Sequence, residues 1–316
     1  MKRETLFRFN CRPYRQEIPI YGYRFGGTEK TLAIMGTTRG DEYPQRYVCA
    51  LLVKRLKKLE SEGRIPDGVG ILIIPCAGQF SMNVGKRFWP MDNTDINRMF
   101  PGYSGGETTQ RVAAALFETL KGYKYGIQMA SFYLAGDFLP HVRIMDTGYQ
   151  DPKQGEAFGL PYLMIRAPRS YDTTTLNYNW QLWETEAYSL YTNATDTIDE
   201  GSAYDATDAI IRFLYSHDLI QIDEADVPLG SPTKVLTRAD LVNIHTKKGG
   251  IMRRLCMPGM DVEPGDELAQ ILDPYTAELR ESIVSPVRGK VFFARKGQIM
   301  AEHEVAFRII AEGEKL

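Results

Sequence analysis

The sequence predicts an α/β domain followed by an all-β one, on three observations. Two short apolar runs, residues 31–35 and 71–74, flank a stretch of helical periodicity, the order expected of a parallel strand pair joined by a helix. A long polar loop, residues 76–106, follows the second run; a loop of that length inside a compact domain is usually functional. After Asp223 the texture changes to short β-type runs separated by turn residues.

Each element has its own reason. Residues 31–35 form an apolar run ending in Gly36, read as a buried strand. Pro44 suits the first turn of the following helix, where its missing N–H costs little. Val48, Leu51, Leu52, Leu56 and Leu59 recur at helical spacing, with Lys54, Lys57 and Lys58 on the other side. Residues 71–74 are the next strand, and Pro75 is expected to end it. Residues 107–120 return to helical spacing through Val112, Leu116, Phe117 and Leu120. Residues 125–129, 162–165 and 180–183 are strand candidates, and residues 206–214 an amphipathic helix ending near His217. Pro228, Gly230 and Pro232 mark a linker, so the expected domains are residues 1–225 and 226–316. Within the second, Gly250-Ile251 followed by residues 260–268 parallels Gly289-Lys290-Val291 followed by residues 298–305, an approximate repeat of two hairpin units.

Composition narrows the function. The chain has 316 residues, 43% hydrophobic and 25% charged, with a net charge of −2. That balance gives no reason to expect nucleic acid or an anionic membrane as partner. No apolar run approaches a membrane span, and residues 1–23 lack the apolar core of a secretory signal. Cys11, Cys49, Cys76 and Cys256 show no C-x-x-C spacing, which fits a reducing, cytoplasmic setting. A homo-oligomer is compatible with the sequence and not specified by it.

The most specific motif runs from Arg87 to Gly102 and reads R-F-W-P-x-D-x-x-D-I-N-R-x-F-P-G. It resembles the substrate loop of the succinylglutamate desuccinylase/aspartoacylase family, within the zinc carboxypeptidase superfamily. The C-terminal repeat is similar to the barrel-sandwich module appended to many deacylases of that family. It lacks the tip lysine of a biotinyl or lipoyl carrier. The fold implied is therefore a zinc-carboxypeptidase-like mixed sheet flanked by helices, with a C-terminal barrel-sandwich-like β domain.

The resemblance implies roles for particular residues. Arg87, Asn97 and Arg98 would hold the carboxylate of an acylated amino acid. Two histidines and a glutamate would hold zinc, which polarises the acyl carbonyl and activates water. Here Thr37-Thr38-Arg39-Gly40-Asp41-Glu42 matches the family's G-x-H-G-x-E with Arg39 in place of the first histidine. Ala130 stands where the second is expected, and Gln128 replaces an aspartate behind it. A guanidinium has no lone pair to offer a metal, so the expectation is no zinc and a degenerate site at Arg39, Glu42 and Ala130. Arg39 would instead bind a ligand anion beside Arg87 and Arg98, or fill the vacated position as a buried ion pair. Asn97 and Arg98 could also form a turn and helix-cap element, with Asn97 bonding local backbone, but the spacing to Arg87 and the following F-P-G favour a substrate loop.

For a general base the family pattern favours Glu186, with Glu184 second; either could be an ordinary surface acid. Of four histidines only His141 could join Asp137, Asp41 or Glu42 in a rebuilt metal site. Three functions follow: binding of a small carboxylate or acylated amino acid without metal-dependent hydrolysis, an active deacylase with a relocated zinc site, or a protein-interaction scaffold.

Overall fold

The computed structural model describes residues 1–10, 17–133, 135–149 and 151–312. Cys11 lies outside them, as does part of the N-terminal stretch read above. Along the chain come β1 (Lys2–Asn10), β2 (Glu17–Gly26), β3 (Leu32–Thr37), α1 (Tyr43–Ser61), β4 (Gly70–Cys76) and α2 (Gln79–Asn83). Then follow α3 (Thr108–Leu120), β5 (Tyr125–Ala130), β6 (Gly136–Phe138), β7 (His141–Met145), β8 (Tyr162–Arg166), α4 (Leu176–Leu182), β9 (Glu186–Tyr191), α5 (Glu200–Ser216) and β10 (Lys234–Leu236). The remainder is β-structure: β11 (Leu241–His245), β12 (Gly250–Arg254), β13 (Asp261–Val262), β14 (Glu267–Leu272), β15 (Leu279–Val284), β16 (Gly289–Arg295), β17 (Ile299–Met300) and β18 (Val305–Ala311).

The chain divides into two compact units. The first comprises residues 1–131, 140–192 and 196–235; the second comprises 132–139, 193–195 and 236–316. The first unit is the predicted α/β architecture, built on a mixed sheet in the order β1-β2-β4-β3-β5-β9-β7-β8-β10. Its central strands β4, β3, β5 and β9 run parallel, β7 is antiparallel to β9, and β8 is parallel to β7. All of β3 and β4 is buried, as expected of strands covered on both faces.

Side-chain alternation divides the core. Leu32, Ile34, Ile127, Met129, Tyr188 and Leu190 join Leu52, Leu56, Ile210 and Phe213 from α1 and α5 on one face. Ala33, Met35 and Ala187 join Val112, Leu116, Leu176 and Trp180 on the other. Pro44 sits in the first turn of α1 as expected, and Glu107 with Gln110 forms a capping box on α3.

Two local expectations need correction. Pro75 does not end β4, which continues to Cys76. Residues 180–183 belong to helix and turn: α4 begins after Thr175, whose hydroxyl accepts the Tyr178 N–H, and buries Leu176 and Trp180 four residues apart. Tertiary packing overrides the β preference of the two tryptophans. Trp180 lies so close to Gly126 that a Cβ there would meet its ring at 2.8 Å.

The second unit is all-β. One sheet has the order β11-β18-β16-β13 with β6 also on β16; the other is β15-β14-β12-β17. The repeat is visible in the order long strand, short strand, long strand, as β12-β13-β14 and again as β16-β17-β18. Leu268, Ile271, Val291, Phe307 and Ile309 form its core.

Candidate functional site

Ligands in open α/β sheets bind beyond the carboxyl ends of the strands. In the first unit that end is marked by Thr37 of β3, Ala130 of β5 and Tyr191 of β9. The chain leaves β3 through a tight loop to Glu42, just before α1. Glu42 turns back on this loop: one carboxylate oxygen, Oε2, accepts the Thr38 and Arg39 N–H groups at 3.0 and 3.1 Å. Gly40 allows the loop to nest against its neighbour, because a Cβ there would lie 2.2 Å from the Lys86 carbonyl oxygen. Its N–H donates to the Arg87 carbonyl at 3.0 Å.

Arg39 occupies the centre. Its Nη1 donates to Glu42 Oε1 at 2.9 Å, and its Nε and Nη2 form a fork on Asp95 at 2.9–3.1 Å. Ser131 Oγ accepts from Arg39 Nη1 at 3.2 Å and donates to Glu42 Oε1 at 2.6 Å. Burial alone would lower the Arg39 pKa, but Glu42 and Asp95 more than reverse that, so its charge is held more firmly than usual. The side chains of Arg39, Glu42 and Asp95 are 6%, 2% and 13% exposed, making this a buried, acid-flanked cation. Asp95 was not singled out as a partner in the sequence; its contact with Arg39 spans 56 positions and has no local signal.

The other expected binding residues connect to this network in part. Asp95 Oδ1 accepts the Asn97 N–H at 2.9 Å, capping a 3-10 turn over Ile96–Arg98. Asn97 Oδ1 accepts from Gln128 Nε2 at 3.1 Å and from the Leu176 N–H at 3.2 Å. Thus the Asn97 side chain faces the sheet surface that carries Ala130, while Asp95 caps the turn. Arg87 pairs with Asp41 at 2.8 Å, and Arg98 donates to the Tyr171 carbonyl at 2.9 Å while lying over its ring.

Glu186 is not brought to this end. The family pattern placed it at the end of a strand, but it opens β9 and pairs with Tyr125, whereas Tyr191 pairs with Ala130. Five residue steps along the strand separate the two pairs, roughly 16 Å. Glu184 is exposed, with φ of 63°, in the turn before the strand. Neither carboxylate is placed as a base for chemistry near Arg39. The residues named for a relocated metal site have other partners. Asp137 is held by Arg254 at 2.7 Å, and His141 is buried with its ring stacked on Tyr191 at a centroid distance of 4.5 Å.

The residues that the resemblance points to as a metal position do not fit zinc. Arg39 cannot ligate, Ala130 has no donor, and both Glu42 oxygens already accept two hydrogen bonds each. Among the described residues no group of three or more His, Cys, Asp and Glu is placed to hold a metal ion.

A polar row missed in the sequence crosses the same sheet face. Gln128 is in register with Ser189, and Ser189 with Arg143. Arg143 is buried, and its Nη1 donates to Tyr191 Oη at 3.1 Å. Its guanidinium lies 4.5 Å from the Tyr191 ring centroid. Burial lowers its pKa, and Arg166 adds to that, against raising contributions from Tyr191 and Asp172. The alternation in His141-Val142-Arg143-Ile144-Met145 could have revealed it: Val142 and Ile144 enter the apolar core, which puts His141 and Arg143 on the opposite face.

Beside it, Arg166 forks onto Asp172 with two bonds of 2.7 Å. Burial would raise the Asp172 pKa, but these bonds and the Arg169 N–H pull it below the ordinary value of 3.8. A depressed carboxylate contributes stability that is full above its unfolded pKa and lost as pH falls through the folded one. Asp172→Asn should therefore remove part of the wild-type loss of stability below about pH 4, measured by urea unfolding across the acid range. Equal acid sensitivity in both proteins would count against the pair. A separate cleft of about 230 Å³ lined by Tyr21, Tyr23, Arg46 and Gln79 opens beside the first turn of α1.

Residues 28–129 match the succinylglutamate desuccinylase/aspartoacylase catalytic domain. That segment holds Arg39, Glu42, Arg87, Asn97 and Arg98. The chain is 23% identical over 315 aligned positions to the N-alpha-acetyl-L-2,4-diaminobutyric acid deacetylase of Halomonas elongata, covering 90% of this chain and 83% of that one. Its fold is similar to a succinylglutamate desuccinylase/aspartoacylase from Rhodobacter sphaeroides, with a TM-score of 0.80 at 17% identity, covering 96% and 93% of the two chains. The product-bound ectoine utilization protein EutE (DoeB) of Ruegeria pomeroyi gives a TM-score of 0.79 at 17% identity, covering 94% and 90%. No helix among the described residues is long and apolar enough to cross a membrane.

Proposed function

We propose that this protein is a deacylase-fold member that binds a small carboxylate, of the acylated amino acid class, without zinc-dependent hydrolysis. The observation that carries the reading is Arg39, seated between Glu42 and Asp95 with Ser131 closing the cluster. A cation at that position places positive charge where the family uses its metal. It generates no hydroxide at neutral pH, because a guanidinium neither binds water as a Lewis acid nor gives up its proton. The binding side of the site is better kept: Asn97 bridges Gln128 and the start of α4, and Arg98 stands half-buried at the edge.

The test is a comparison of binding and turnover with N-acetylated amino acids, with and without added zinc. The expected result is measurable heat of binding with no acetate released under either condition. Zinc-stimulated acetate release would overturn the reading in favour of an active deacetylase, the activity by which the Halomonas relative is named.

A further inference from the structure

We propose that Arg143 anchors an anionic group of the ligand, a carboxylate, on the sheet face beside the Arg39 cluster. This rests on the binding function proposed above and names the residue that selects the ligand's charge.

The cations of this face divide by what neutralises them. Arg39 has Glu42 and Asp95, Arg87 has Asp41, and Arg166 has Asp172. Arg98 has no carboxylate partner among the described residues but is half-buried, within reach of water. Arg143 is buried, and among the described residues no acid pairs with it. Its recorded contacts are the Tyr191 hydroxyl and ring and the His141 Nε2 at 3.4 Å. Its Nε–H is buried with no partner. A guanidinium stays charged in a protein, and a buried charge without a counter-ion is costly. The aromatic ring compensates only part of that cost.

A second unpartnered donor lies on the same side of the sheet. Asn177 Nδ2 is buried without a partner, while its Oδ1 accepts from Gln181, whose amide reaches the Ala187 carbonyl. Asn177 follows Leu176, the residue whose N–H holds Asn97. Both vacant groups are donors, and a carboxylate is an acceptor with several lone pairs. Along the sheet, Arg143 is two strands from Gln128, roughly 10 Å. That interval suits a small acylated amino acid reaching from the Asn97 side to Arg143.

The test uses N-acetyl-L-aspartate and its uncharged diamide as probes, with calorimetry and thermal melting of wild type, Arg143→Met and Arg143→Lys. Wild type should bind the dicarboxylate and not the diamide. Arg143→Met should weaken the dicarboxylate at least tenfold, Arg143→Lys less so. The unliganded Met variant should melt at or above the wild-type temperature, since it removes a buried charge that lacks a partner. A Met variant that binds normally overturns the proposal. So does one that loses binding together with several degrees of melting temperature, because Arg143 would then be a structural member of the core. Wild type binding neither probe, or both equally, also overturns it. Acetate release by wild type would sink the non-hydrolytic function instead, leaving the Arg143 assignment to be judged by affinity.

Discussion

Replacing Arg39 by methionine should destabilise the protein by about 3–5 kcal/mol, the cost typical of breaking a buried ion pair from one side. Glu42 and Asp95 would lose the group that joins them. Asp95 also caps the turn that carries Asn97, so the damage should extend to ligand binding. Urea unfolding gives the first quantity and calorimetry with N-acetylated amino acids the second. If Arg39 were a surface-like ion pair, the change would cost less than about 1 kcal/mol, and binding would be untouched. A variant with Asp95→Asn added to Arg39→Met should recover part of the loss, because one of the two orphaned charges is gone.

The second large effect is a gain. Arg39→His together with Ala130→His should create a zinc site with Glu42, three protein ligands and an open fourth position. Arg39 and Ser131 are in hydrogen-bond contact, which puts position 130 next to the cluster. Removing Arg39 frees one lone pair of Glu42 Oε1, the atom it now occupies. Either single variant should gain little, since two ligands seldom hold zinc tightly. Titration of wild type, both singles and the double with zinc reads this directly; a double variant no tighter than wild type would show that the lost ligands are misplaced. Hydrolysis should remain absent in the double variant. Glu186 lies at the far end of β9, and the residue in register with position 130 is Tyr191, a phenol rather than a carboxylate.

Much of this was readable from residues near one another in the chain. The apolar runs and helical spacing around α1 fixed the parallel pair β3 and β4, and the turn-rich texture after Asp223 announced β structure. The motif from Arg87 to Gly102 singled out Asn97, and Arg39 at a ligand position singled out the central cation; the sheet face that Asn97 meets was not readable. What could not be read depends on contacts between distant segments. Asp95 as the second partner of Arg39 is one such case. The position of Glu186 is another: whether a residue begins or ends a strand is set by register with β5, which sequence alone does not supply. The two readings of Arg39 were chemically equivalent in sequence; its bonds to Asp95, Glu42 and Ser131 depend on segments that meet only in the fold.

The path of the chain through the second unit carries a practical consequence for anyone cutting the protein apart. Residues 132–139 sit between two segments of the first unit in sequence, yet they supply β6, whose three residues pair with Phe293, Ala294 and Arg295 of β16. A fragment starting at residue 236 would therefore be missing one of its own strands. The backbone of β16 would be bare over that stretch, an open edge of the sort that recruits strands from other molecules. The same missing piece carries Asp137, the carboxylate that neutralises Arg254. The C-terminal module is sequence-discontinuous, and a tail expressed alone should self-associate through that bare edge.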